Sequence, residues 1–376
     1  MTFMRLDFSL LRSLASKCAA CVLLAAGPAH TAPVVASPST PAAASTVIVP
    51  YADRPEVQQW AHDMAKRQHL EPTWVMSQLA QARFQPKVAK FIMPAPSGTA
   101  KNWTNYRARF IDATRIRQGV QWWNAQQDWL TQAETRWGVP ASVIVAIVGV
   151  ETIYGRQTGT FRILDALTTL GFDFPSGRSD RRMFFRDELA AYLQWCHREG
   201  RDPTGVLGSY AGAIGLPQFM PSSILKYAVD FNGDGHIDLM QQPADVIGSV
   251  AHYLAQFGWQ PNMPTHYTVR PPTDAQQLAE LMGPDIQPTF TVAQMQARGA
   301  LVDQEGQHHA GPLAFVSLQN GNDAPLYLAA TQNFYTITRY NWSAYYAMAV
   351  IELARELRQA RAMAAAPQQR PRTPDR

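Results

Sequence analysis

From Pro55 to about Trp137 apolar residues recur at helical spacing, as in residues 56–69 and 116–137, where Trp122, Trp123 and Trp129 form a ring-rich face. Pro94 to Thr99 (Pro-Ala-Pro-Ser-Gly-Thr) breaks that region and predicts a loop. Gly138-Val-Pro140 opens a new helix with proline in its first turn. From Ala141 to Thr152 this helix is apolar except at Ser142, Glu151 and Thr152, and Gly155 is placed to stop it. Further helices are predicted over 163–170, 182–197, 221–229 and 244–257. Between His266 and Ile337 the pattern changes, and residues 267–270, 313–317 and 335–338 read as short strands between Gly and Pro turns. Residues 341–363 return to one long helix. The fold class is therefore mainly α (α+β), with a small β-rich insertion.

The ends of the chain differ from its body. Arg5, Arg12 and Lys17 precede the apolar run Cys18 to Ala26, and Gly27-Pro-Ala29 offers small residues for cleavage, so residues 1–29 read as an export signal. The run is shorter than the ~20 apolar residues of a membrane-spanning helix. A lipoprotein signal at Cys21 is the rival reading, although Cys18 stands where an apolar residue is expected and Lys17 interrupts the stretch. Residues 30–50 have the Ala/Pro/Ser/Thr composition of a flexible tether. The predicted body then divides into a helical region at 51–137, joined by the C-terminal helix at 342–363, a core at 138–260, and a β-rich domain at 261–340. The Pro/Arg tail at 364–376 reads as disordered.

Charge follows the same division. The formal net charge is +4; Arg5, Arg12 and Lys17 against Asp7, with Arg370, Arg372 and Arg376 against Asp375, account for all of it. The body is neutral, so a nucleic-acid partner is not expected. Once the signal is removed Cys196 is the remaining cysteine, which excludes an intrachain disulfide and reads as a buried thiol. Ten Trp, thirteen Tyr and sixteen Phe supply rings that either fill the core or stack on sugars.

Three patterns carry candidate chemistry. Ile144, Ile147 and Val148 lie seven, four and three residues before Glu151 and share its helix face. A carboxylate on an apolar face is costly to ionise, so its pKa should rise, as a glycosidase acid requires. The plain alternative is a terminal Glu that reaches solvent or pairs with Arg156 or Arg162. Next, Asp230-Phe-Asn232-Gly-Asp234-Gly-His236-Ile-Asp238 matches the first nine positions of an EF-hand loop, with a backbone carbonyl expected from His236. Position 12 is Gln241 where Glu is expected, and Asp245 is the candidate replacement. A structural Ca2+ is expected; an Asx/Gly turn without metal is the alternative. Last, residues 208–221 combine small residues that admit a ligand with Ser209, Tyr210, Gln218 and Phe219, which can hydrogen-bond or stack.

Together these residues resemble the lytic murein transglycosylase B family, whose core is similar to goose-type lysozyme. The matching blocks are residues 149–155 (Gly-Val-Glu-Thr-Ile-Tyr-Gly), 162–167, 208–223, 230–238 and 333–341, spanning more than half of the chain beyond the signal. The resemblance implies a lysozyme-like helical catalytic core in which Glu151 is the single acid/base. It further implies that Ser209, Gln218, Tyr340 and Asn341 lie in the cleft with Tyr106, and that Arg181 and Arg182 lie near the peptide stems of the substrate. The implied reaction cleaves the MurNAc-GlcNAc β-1,4 bond and leaves 1,6-anhydro ends. Peptidoglycan glycan strands are the implied partner, with cell-wall synthesis or remodelling proteins beside them. A monomer and a periplasmic location complete the implied picture. Leu216-Pro217 and Gln241 depart from the family pattern. Two other readings stay open: a hydrolase using Asp165 or Asp173 as base, and a non-catalytic wall-binding protein.

Overall fold

The structure is a computed structural model and describes residues 49–93 and 101–365. The export signal, Cys21, nearly all of the tether, the 94–99 loop and the tail beyond 365 lie outside the described residues. The chain forms two compact units that interleave along the sequence. One contains residues 101–160 and 207–365; the other contains 49–93 and 161–206.

In the larger unit the Ala141–Thr152 helix is central. It packs against the helices Ala113–Ala125, Gln127–Trp137, Pro243–Gln256 and Ala344–Ala365. Burial on every side explains its composition: Val143 to Val148 are all at most 5% exposed, leaving no polar face to mark an orientation. Gly149 permits the closest approach, because a Cβ there would stand 2.5 Å from the Tyr154 hydroxyl and 3.1 Å from Leu353. The predicted helix at 116–137 is two helices broken at Gln126, whose N–H bonds back to Trp122 and Trp123.

The β-rich segment of this unit is a four-stranded antiparallel sheet in the order Leu301–Val302, His266–Arg270, Asp323–Ala330, Ala314–Asn320. The last two strands form a hairpin that turns at Gly321, at φ 66°. Two helices, Ala275–Met282 and Val292–Ala297, cover one face. Leu281, Met295, Val302, Leu313 and Phe315 meet there in a common apolar cluster. The expected strand at 335–338 is instead part of a helix, Gln332–Tyr340. Thr331 caps it by accepting from Asn333 N–H, and Phe334 and Ile337, one turn apart, are both fully buried. Capping and i,i+3 burial outweigh the β preference of Tyr-Thr-Ile-Thr.

In the smaller unit the Ile163–Phe172 and Arg182–Arg198 helices pack together, and Pro55–Gln68 packs on Pro72–Leu79. Each of the last two begins with proline at its first position. Cys196 is fully buried here, as expected, and burial pushes its thiol up to about 12.

Candidate active site

Glu151 ends the central helix. Ile144, Ile147 and Val148 on its face are fully buried, while Glu151 itself keeps a partly exposed surface. Protein surrounds the carboxyl on most sides, and burial raises its pKa from 4.5 to about 7. The opposing influence is a hydrogen bond from Tyr346 Oη to Glu151 Oε1 at 2.6 Å, which favours the ionised form. No charged group contributes to the shift, so neither Arg156 nor Arg162 neutralises this acid. Arg162 is engaged within the smaller unit, 3.5 Å from Asp165.

The chain leaves the helix along an unusual path. Ile153, Tyr154 and Gly155 follow one another in the left-handed region, at φ 50°, 57° and 88°. The N–H groups of Ile153 and Tyr154 return to Gly149 O and Val148 O, so the last turn stays hydrogen-bonded. A left-handed β-branched residue is costly and is held only where its surroundings fix it.

The Gly-rich segment forms a second wall. Ser209 Oγ accepts from Ala213 N at 2.9 Å, closing a tight turn. Gln218, at φ 51°, donates through Nε2 to Thr158 O and Gly215 O. Gly215, at φ 75°, admits no side chain, because a Cβ would stand 2.4 Å from Leu239 O. Tyr340 Oη donates to Pro217 O at 2.5 Å, and its ring stacks on Tyr346 at 6.3 Å and 13°. The structure thus links Glu151, Tyr346, Tyr340 and the 215–218 turn in one cluster. Asn341 follows Tyr340, and its buried Oδ1 has no hydrogen-bond partner among the described residues.

Other expected residues are placed differently. Phe219 is 2% exposed and Tyr210 is 7% exposed. Phe219 packs against Tyr253 and Tyr340, so it supports the tyrosine instead of offering a face to a ligand. Tyr106 is partly exposed and sits in a ring cluster with Trp103, Phe110 and Tyr345. In the smaller unit Arg182 pairs with Asp180 at 2.7 Å, and the Arg181 guanidinium lies over Phe184. Asp165 and Asp173, the candidate bases of a hydrolase, both have structural partners. Asp165 is 1% exposed and accepts from Arg83 N–H and Gln85 Nε2; Asp173 accepts from Tyr51 and pairs with Arg54.

The loop between the Pro221–Tyr227 and Pro243–Gln256 helices carries the EF-hand-like sequence. Asp230 accepts from Gly233, Asp234 and Gly235 N–H; Asp234 accepts from His236 N–H; Asp238 accepts from Met240 and Gln241 N–H. Asn232 Oδ1 accepts from Asp234 N–H. Among the described residues no group of three or more His, Cys, Asp and Glu side chains is gathered as a metal site. The donor chemistry nevertheless suits a hard cation, since Asp230, Asn232, Asp234, Asp238 and the His236 carbonyl offer oxygen alone. Asp245 is used otherwise. Fully buried, it accepts from Phe231 N–H and Asp238 N–H and straps the two ends of the loop together.

No local pattern points to Tyr346. It lies 195 residues from Glu151, in a long helix without a motif, and its twin Tyr345 looks equivalent in the sequence. Only the packing of the Ala344–Ala365 helix along the central helix distinguishes the two.

An acid raised by burial beside a Gly-rich turn and a tyrosine pair, carried on a lysozyme-like helical core, is the arrangement expected of an enzyme that cleaves glycans. The chain belongs to the Transglycosylase SLT domain family, which matches residues 52–355. It is 37% identical over 333 residues to membrane-bound lytic murein transglycosylase B of Escherichia coli (strain K12), covering 83% of this chain and 85% of that protein. The soluble lytic transglycosylase SltB1 of Pseudomonas aeruginosa superposes with a TM-score of 0.73 at 38% identity, over 82% of this chain and 100% of that one. Escherichia coli Slt35 in complex with calcium gives 0.72 at 35% identity, over 83% and 95%. The expected peptidoglycan lytic transglycosylase activity is therefore supported.

Proposed function

We propose that Glu151 alone serves as acid and base in cleaving the MurNAc-GlcNAc β-1,4 bond. The observation that carries this is a carboxyl at the end of a buried apolar helix, hydrogen-bonded to Tyr346 and, among the described residues, without a charged partner, where burial pushes its pKa up to about 7. Near neutral pH such a group exchanges its proton readily in both directions. Protonated, it donates to the glycosidic oxygen leaving C1 of the muramic acid unit. The substrate's own 2-acetamido oxygen meets the positive charge developing at C1, so no second enzyme carboxylate is needed. Ionised Glu151 then removes the proton of the C6 hydroxyl, whose oxygen bonds to C1 as the acetamido oxygen departs. The acid regains its proton, the product is a 1,6-anhydro end, and no water is consumed. Both reacting groups belong to one sugar, which raises their effective concentration.

Tyr346 balances the acid by stabilising the carboxylate formed midway. Ser209, Gln218 and the unsatisfied Asn341 Oδ1 are the polar groups for the acetamido and hydroxyl groups of the sugar; Tyr340 and Tyr106 offer ring faces. Arg181 and Arg182 remain candidates for the carboxylates of peptide stems. The engagement of Asp165 and Asp173 in structural bonds weighs against the hydrolase reading. Digestion of purified cell wall followed by mass spectrometry tests the scheme. Anhydro ends are expected from the wild type and none from Glu151→Gln; reducing ends from the wild type, or lysis by the variant, would refute it.

Calcium fits the 230–238 loop, with Asp230, Asn232, Asp234, Asp238 and the His236 carbonyl as its ligands. It would stabilise the fold and supply no chemistry. Residues 1–29 serve as an export signal to the periplasm. The membrane-bound relative gives a lipid anchor at Cys21 more weight than the sequence alone does. Mass measurement of the mature protein decides between cleavage after Ala29 and acylation at Cys21.

A further inference from the structure

We propose that Thr152 is a positioning residue: its hydroxyl ties the end of the acid-bearing helix to the Gly-rich wall and so fixes where Glu151 sits. The inference rests on the assignment of Glu151 as the acid/base.

A threonine in the last turn of a helix commonly bonds back to the carbonyl four residues earlier. Here Val148 O stands 3.3 Å from Thr152 Oγ1, but Leu216 O is closer, at 2.9 Å and 64 residues away in sequence. The hydroxyl has one proton, and the shorter bond takes it across to the Gly-rich wall. The same oxygen accepts from Gly155 N at 3.1 Å, so Thr152 also fastens the left-handed turn that leaves the helix. Gln157 N donates to Thr152 O at 2.9 Å, adding a third tie at the same residue. Thr152 is fully buried, so water cannot replace these bonds.

The wall it grips is held from other sides. Leu216 N donates to Leu239 O at 2.9 Å, and Pro217 O accepts from Tyr340. A Cβ on Gly155 would touch the Leu216 side chain at 3.2 Å. The Leu216-Pro217 backbone is therefore fixed by the end of the metal-type loop, by the tyrosine that stacks on Tyr346, and by the residue next to Glu151. Two consecutive non-glycine residues in the left-handed region, Ile153 and Tyr154, persist because this tie over-determines them. Without the hydroxyl the turn is free to relax, and the carboxyl one residue upstream moves relative to Tyr346 and Tyr340, the titratable groups that face it.

The test compares Thr152→Val, nearly the same shape without a hydroxyl, with Thr152→Ser, which keeps it. Rates on soluble glycan strands, pH profiles and melting curves are recorded, with Glu151→Gln in parallel. Valine should lower kcat by about ten- to a hundred-fold, leave KM little changed and displace the pH limb set by Glu151. Serine should restore both rate and limb. Where the valine variant does not fold, Thr152→Ala gives the same comparison. A hydroxyl-free variant with wild-type kcat and an unmoved limb overturns the proposal, whatever its melting temperature. If Glu151→Gln retains lysis, the acid assignment fails instead. A wild-type-like Thr152→Val beside an inactive Glu151→Gln removes the positioning role alone.

Discussion

At the end of the buried, apolar Ala141–Thr152 helix one enclosed carboxyl receives a tyrosine hydrogen bond. In the loop from Asp230 to Asp238 three exposed or half-buried carboxylates are instead supplied with backbone N–H groups. The consequences are opposite. Burial lifts Glu151 to about 7, whereas the Asn232 amide and the His236 N–H hold Asp234 below its ordinary value. The side-chain chemistry is nearly the same, so the environment decides which acid holds its proton more tightly and which releases it more readily. Both regions turn through left-handed residues. The loop uses Gly233 and Gly235 there, while the acid site uses Ile153 and Tyr154 and depends on its neighbours to hold them.

The sharpest way to break this contrast is to remove the raised acid. Glu151→Gln should reduce cell-wall lysis by about 10²- to 10⁴-fold, measured as release of anhydro-ended fragments. Asp234→Asn, an acid of the other kind, should leave the rate of the calcium-loaded enzyme within a few-fold of wild type. Equal losses from the two substitutions would show that the environments do not divide the roles.

Much of this contrast was legible in the chain. The spacing of Ile144, Ile147 and Val148 marked Glu151 as an acid on an apolar face, and the periodicity of Asp230 to Asp238 marked its loop. Those signals are local. Tyr346 and the grip of Thr152 on Leu216 depend on which helices meet, and no spacing within either segment records that. The strand expected at 335–338 failed because β-branched residues report a preference that burial of Phe334 and Ile337 overrides. The helices inside the β-rich segment did leave a readable signal. Thr291 and Gln294 form a capping box, and Asp274 accepts from Gln277 N–H. The break at Gln126 left none, since neither glycine nor proline marks it.

Stability against pH probes the same difference without turnover. Glu151 holds its proton more tightly folded than unfolded, so it favours the folded state at low pH. That advantage disappears as pH rises from about 4.5 to about 7. Above that range the ionised, enclosed carboxylate costs at most about 3 kcal/mol. Glu151→Gln should therefore melt close to wild type near pH 4 and above it at pH 8. A gain in melting temperature that does not grow with pH would mean the acid is not raised.

The loop should respond to metal and the acid should not. At free calcium about a hundred times Kd, binding adds about 2.7 kcal/mol, read as a melting temperature several degrees higher than with chelator. Asp230→Asn should reduce that increment, and Glu151→Gln should keep it. An unchanged melting curve with chelator would argue that the loop holds no cation and works as a hydrogen-bonded turn.

The smallest effect concerns the one hydrogen bond that moderates the acid. Tyr346 Oη donates to Glu151 Oε1 and favours the ionised form, against the larger effect of burial. Tyr346→Phe removes the donor and keeps the ring that stacks on Tyr340. Burial then acts unopposed, the pKa rises, and the descending limb of the kcat/KM profile moves to higher pH. The maximal rate should fall only a few-fold, because proton donation becomes easier to prepare while the carboxylate needed for the second half is less stabilised. The direction of the limb is the decisive reading. A downward shift would mean that the phenol stabilises the protonated acid, and Tyr346 would then belong with the donor step and not with the base step.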